Sequence, residues 1–199
     1  MYRQEKNVQF IANIGQHQTY PQYFESYNAA VSILIAHIEQ HANTCHTLAY
    51  PIMFLVRHGI ELGLKNNIQF FQHYTKQSTP NTIYTHQLKF LQTQFKSQLF
   101  EAIALLQATK HINIDPHDLH QFHLYFQQLD TLTNLFELLD KNADAFRYPV
   151  NTKNNASFQY EQTVNLMEVV HLLQAVEWLL CFTGDVFKKY WDEAMPTTH

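Results

Sequence analysis

One segment dictates the class of fold. Residues 52–65 read Ile-Met-Phe-Leu-Val-Arg-His-Gly-Ile-Glu-Leu-Gly-Leu-Lys, apolar on nearly every side of a helix. A helix that is hydrophobic all round has no face to give to water, so other elements must enclose it. The rest of the chain supplies mainly helices. Four Gly and six Pro over 199 residues are too few for the frequent turns of an all-β fold. Charged residues are 15% of the chain, against about 25% in an average domain. Aromatics at 14% exclude a disordered chain.

The apolar periodicity places the elements. Val8, Phe10, Ala12 and Ile14 alternate until Gly15, which predicts a short extended N-terminal arm over residues 1–20. From Pro21 the period changes. Phe24, Tyr27, Val31, Leu34, Ile35 and Ile38 share one face of a helix over about 22–42, and Asn43-Thr44 can break and recap the chain. The apolar helix follows over about 46–74, with Pro51 as a kink or first-turn residue. Residues 75–85 form a loop. Thr85 is a cap for a helix over about 86–109 carrying Leu88, Leu91, Phe95 and Leu99. Asp115 caps a helix with Pro116 at its first position, running to about 146 with a break near Asp130, and Arg147-Tyr148-Pro149 ends it. A last helix covers about 159–194. The sum is an all-α, up-and-down bundle of five or six helices, a single domain over 21–195 behind the arm.

Net charge is −4 and the pI about 6.3, so nucleic-acid contact would need a local basic patch. Cys45 and Cys181 form neither a disulfide framework nor a zinc ribbon. The N-terminus lacks the apolar stretch of a signal peptide, and no uninterrupted apolar run approaches the roughly 18 residues of a membrane span. The expectation is a soluble, cytoplasmic chain with no membrane partner.

Thirteen His and twenty Gln supply much of the polarity. His37, His41 and Cys45 are spaced for one helical face, but Asn43-Thr44 interrupts it, and no His-Glu-x-x-His pair provides a catalytic carboxylate. His117, His120 and His123 drift about 60° per step around a helix, so only neighbours converge. Both groups read as solvated surface. No metal and no cofactor are expected.

Residues 57–65 differ. Arg57, Glu61 and Lys65 recur every four residues, with His58 three before Glu61, as one polar stripe on an otherwise apolar helix. Gly59 and Gly63 allow a neighbour to come close. A charge on a buried helix must find a partner. The chain has three Arg, at 3, 57 and 147, so Arg147 beside Tyr148 is the expected partner of Glu61.

Three blocks, in order, resemble the HEPN superfamily of helical domains. Arg57-His-Gly-Ile-Glu61-Leu-Gly-Leu-Lys65 is similar to its Glu-x-x-x-Lys helix. Thr85-His86-Gln-Leu88 is similar to the Thr-His-Asp/Asn-Leu block that opens its next helix, and Phe146-Arg147-Tyr148-Pro149 to its Arg-Tyr-Pro ending. The resemblance implies a helical bundle, commonly dimeric, with RNA cleavage in toxin and phage-defence systems or RNA and nucleotide binding among its functions. An antitoxin or a nucleotidyltransferase is then a candidate partner. The superfamily's RNases carry Arg, four to six residues, then His. Counted from Arg147, those positions are Thr152, Lys153 and Asn154, so the motif is missing.

Arg57, His58, Glu61, Lys65, His86, Arg147 and Tyr148 are therefore the polar-pocket candidates. Three functions follow. The first is an HEPN-like nucleic-acid- or nucleotide-associated protein of defence or regulatory type without the standard RNase chemistry. The second is a non-catalytic interaction or dimerisation module with a buried ion-pair network. The third is a metal-independent RNase of non-standard layout, in which His58 or His86 is the base and Arg57 or Arg147 the cation. A homodimer is expected, the apolar last helix and the aromatic surplus suiting its face.

Overall fold

The computed structural model describes residues 11–12, 15, 19–76, 84–140, 143–151, 153–158 and 160–193. It is an all-α bundle: α1 (Tyr20–Gln40), a single 3-10 turn at Ala42–Thr44, α2 (Cys45–Thr75), α3 (Leu88–Lys110), α4 (Pro116–Leu139) and α5 (Leu166–Glu193). Most of the proposed N-terminal arm lies outside the described residues.

Helix α2 is central, packed against α1, α3 and α5. Ile52, Val56, Ile60, Leu64, Ile68 and Phe71 are fully buried, which accounts for a segment with no polar face. Gly63 faces α5 so closely that a Cβ there would lie 2.7 Å from Leu180 Cδ1. The Asn67 amide ties the same two helices, donating to the Gly63 carbonyl at 2.9 Å and to the Leu180 carbonyl at 2.7 Å.

The bundle alternates in direction except at one step. Tyr27 meets His58 and Phe24 meets Gly59, so α1 and α2 are antiparallel. Along α2 and α3, Glu61 meets His86, Phe71 meets Phe95 and Thr75 meets Gln98, so these two run side by side in the same direction. The start of α3 therefore lies level with Glu61, about 21 Å along α2 from Thr75 at 1.5 Å per residue. Twelve residues intervene between Thr75 and Leu88, enough for about 40 Å. Helices α3 and α4 are antiparallel (Gln92 with Thr133, Phe100 with Phe122), as are α4 and α5, where Tyr190 donates to Asp118 at 2.6 Å.

The ends have local causes. The Asp115 carboxylate accepts from the His117 N–H at 2.7 Å behind Pro116, the expected cap. The break after α1 falls at His41, whose N–H donates to the carbonyls of His37 and Ile38, so His37, His41 and Cys45 are not on one continuous helix. α4 runs unbroken through Asp130, which is turned toward α3 and accepts from Lys89 at 2.6 Å and Gln92 at 3.2 Å.

Two boundaries differ from expectation. α4 stops at Leu139 rather than near 146, because the Asp140 carboxylate accepts from the backbone N–H groups of Asp144 and Ala145 at 2.7 and 2.8 Å. That side chain captures the donors a further turn would have used. α5 starts at Leu166 rather than near 159, where the Asn165 side chain accepts from the Met167 and Glu168 N–H groups and donates to the Glu168 carboxylate at 3.0 Å. This is a capping pair.

Candidate functional site: a buried charge cluster

Arg57, Glu61 and Lys65 lie one turn apart on α2 and face the start of α3 and the end of α4. The Lys65 ammonium donates to Glu61 Oε1 at 2.7 Å, and Arg57 Nη1 lies 3.4 Å from Glu61 Oε2. Arg57 Nη2 donates to the His86 carbonyl at 2.8 Å. Its Nε donates to the Asp140 carbonyl at 3.2 Å and lies 3.4 Å from Asp140 Oδ2 in an ion contact without hydrogen-bond alignment. Exposures are 3% for Arg57, 2% for Glu61, 6% for Lys65 and 4% for Asp140. Two cations and two carboxylates are thus enclosed together and cancel.

Burial alone would push the Glu61 carboxyl up. Its hydrogen bonds and charge contacts with Lys65 and His86 outweigh that and hold it below the ordinary range. The Arg57 guanidinium is shifted down by burial and held up by Asp140 and Glu61. It also donates to the carbonyl of Asp140, the residue that caps the C-terminus of α4, where a cation answers the negative end of the helix dipole.

His86 is the cluster's outlet to solvent. Its Nδ1 is 2.9 Å from Glu61 Oε1, while 61% of its side chain is exposed. Where Nδ1 donates to the carboxylate, Nε2 is left as an acceptor on the outer side.

The remaining candidates lie away from this contact set. Arg147 is not the partner of Glu61. Its Nε donates to the Ala143 carbonyl at 2.6 Å and its Nη2 to Asp144 at 3.1 Å, and it sits exposed with its guanidinium 5.4 Å from the Tyr148 ring centre. The early end of α4 is the reason: residues 143–147 form an outer turn, and Asp140 takes the place beside Arg57. Tyr148 is 55% exposed. His58 is half-buried between the rings of Tyr27, 4.8 Å away, and Phe54, 5.7 Å away; burial lowers its pKa and keeps it neutral at pH 7.

Asp140 is the member that sequence reasoning missed. The available signal was an acidic residue closing an apolar helix, a position the helix dipole disfavours unless a cation answers it. Among the described residues, no group of three or more His, Cys, Asp or Glu is disposed to hold a metal ion.

A second region is chemically the reverse. A cavity of about 330 Å³ lies among α3, α4 and α5, lined by apolar groups including Leu99, Phe122, Tyr125, Trp178 and Phe182. Trp178, Phe182 and Val186 are 58, 45 and 40% exposed. By length and composition α5 is, among the described residues, the one helix apolar enough to cross a membrane, a test the core helix of a globular fold can also pass. Only 39% of its apolar window is buried. His171, Gln174 and Glu177 interrupt it, so the sequence contains no unbroken run. Compared with protein-family models, curated proteins and solved structures, the chain matches none of them.

Proposed function

We propose that this chain is a non-catalytic helical interaction module. In this reading the charges of α2 hold the bundle together and an outer face does the work. One observation carries it: Arg57, Glu61, Lys65 and Asp140 are enclosed and answer one another, so the guanidinium that would bind a phosphate is occupied by the Asp140 and His86 carbonyls and by Glu61. Opening that set to a ligand would leave charges buried without partners.

A second reading, a metal-independent RNase of non-standard layout with His86 as its base, is favoured by one feature, the exposed His86 ring backed by the Glu61 carboxylate. An imidazole so held can take a 2′-hydroxyl proton if RNA is brought to it. The two readings part in one assay. Purified full-length chain is incubated with single-stranded RNA in chelator, beside His86→Ala and Arg147→Ala. The interaction module leaves RNA intact in all three. Cleavage by the wild type that is lost in His86→Ala overturns it in favour of the second reading.

A further inference from the structure

The cavity among α3, α4 and α5 has a shape and a polarity that the fold does not require. Protein interiors keep few voids larger than a water molecule, whereas small-molecule sites are clefts of about 300–1,000 Å³ with an apolar lining and a few placed polar groups. At about 330 Å³ this cleft is of the second kind. Its α5 wall runs from Trp178 to Val186, about 12 Å of helix at 1.5 Å per residue. Because α4 is antiparallel to α5, Tyr125 stands toward the Trp178 end and Asp118 at the other. Of the fourteen residues that line the cleft, Asp118 alone is charged and none is His.

Asp118 is half-buried and held in place. Tyr190 donates its hydroxyl proton to Oδ2 at 2.6 Å and accepts from the Asp115 N–H at 3.1 Å, which ties the first turn of α4 to α5. Oδ1 has no hydrogen-bond or ion-pair partner among the described residues. On the α5 wall the Thr183 hydroxyl donates to the Leu179 carbonyl at 2.6 Å, so its proton is already used. The chemistry of the occupant follows from these groups. It must be apolar along its length, to dry the lining. A carboxylate at its end would be repelled by Asp118, and Glu25, Glu177 and Asp185 border the neighbouring hollow beyond Trp178 and Phe182. A neutral end would leave the carboxylate partly desolvated without a cation. A protonated amine supplies the donor and the charge together.

We propose that the cleft among α3, α4 and α5 binds a primary amine with a slender apolar tail, its ammonium donating to Asp118 Oδ1 and its tail lying along Phe122, Leu179 and Phe182 toward Trp178. The site shares no residue with the charge cluster of α2. It goes beyond the interaction-module reading and does not depend on it.

The test is isothermal titration calorimetry of the full-length chain at pH 7 with n-octylamine, n-octanol and octanoate, with far-UV circular dichroism of each variant. Octylamine, protonated at pH 7 as a lysine side chain is, is expected to bind one per chain with Kd below about 1 mM. Hexylamine binds about fourfold more weakly for each methylene removed. Octanoate binds at least about tenfold more weakly than octylamine. Asp118→Asn keeps an acceptor for Tyr190, lowers octylamine to the affinity of octanol and leaves octanol unchanged. Ile103→Trp fills the cleft and weakens both; where that variant does not fold, Asp118→Asn decides alone. Octanoate binding as tightly as octylamine overturns the inference, as does octylamine binding unmoved by Asp118→Asn. Absence of octylamine binding overturns it too. Sedimentation at twice 23.5 kDa, or flotation with phosphatidylcholine vesicles, then assigns the cleft to a second copy or to a lipid surface. RNA cleavage is read separately, so failure of the amine site and failure of the interaction-module reading remain distinct results.

Discussion

Two helices of this bundle invert the usual distribution of polarity. Central α2 carries four charged or ionisable side chains within residues 57–65, three of them almost wholly buried, whereas outer α5 shows tryptophan, phenylalanine, valine and methionine to solvent. The contrast teaches that exposure and polarity are matched to partners rather than to depth. The α2 charges are tolerable because each meets an opposite charge or a carbonyl: Glu61 for Arg57 and Lys65, Asp140 and the His86 carbonyl for Arg57. The Trp178 and Phe182 rings of α5 meet each other, 4.6 Å apart, and are otherwise turned to solvent.

The comparison breaks most sharply at Glu61. Glu61→Ala leaves Arg57 and Lys65 enclosed without their shared carboxylate and is expected to cost about 3–5 kcal/mol in urea unfolding. A loss under about 1 kcal/mol would mean that these cations reach water, and the contrast with α5 would fall. A smaller effect is expected where the two helices meet. Gly63→Ala forces its new methyl against Leu180, an overpacking cost of about 1–3 kcal/mol. Improved helix propensity offsets about 1 kcal/mol of it. A net gain in stability would show that Leu180 swings away freely and that α5 is not locked on α2.

The smallest effect separates His58 from the cluster beside it. Its folded pKa lies below the unfolded value of about 6.5, chiefly through burial. Glu61 opposes that shift, while Lys65, Arg57 and His86 add to it. The unfolded chain therefore binds the proton first, and stability is greatest above the unfolded pKa and falls as pH drops through the folded one. Melting temperatures between pH 7.5 and 5.5 should decline more steeply for the wild type than for His58→Gln. Equal slopes would show that the ring is as well solvated folded as unfolded. Glu61 follows the same sign at lower pH, its contribution being lost as pH falls through its depressed pKa.

Much of this was legible in the residues. The 3.6-residue pattern located all five helices, and the all-round apolar character of residues 52–65 identified the centre of the bundle. The spacing of Arg57, Glu61 and Lys65 is enough to place them on one face, because the α-helix is a local structure. Boundaries were less legible where side chains compete with the backbone. Asp140 and Asn165 each end or begin a helix by hydrogen bonds that a hydrophobic pattern does not register. The partner of the charges was misread for the same reason: a helix carried on to Arg147 points to that residue, and one stopped at Leu139 delivers Asp140 instead.

The sequence by itself thus determined what depends on near neighbours along the chain: the helices, their apolar faces, the polar stripe and the two cap residues at Asp115 and Pro116. Tertiary structure alone decided which groups far apart in sequence meet. It set α3 beside α2 in the same direction, brought Asp140 to Arg57 across 83 positions, left His86 as the exposed edge of a buried carboxylate, and turned one face of α5 outward. The physical reason is that local hydrogen bonds and side-chain spacing fix a helix. The pairing of charges and the covering of apolar faces are settled only when the whole bundle closes.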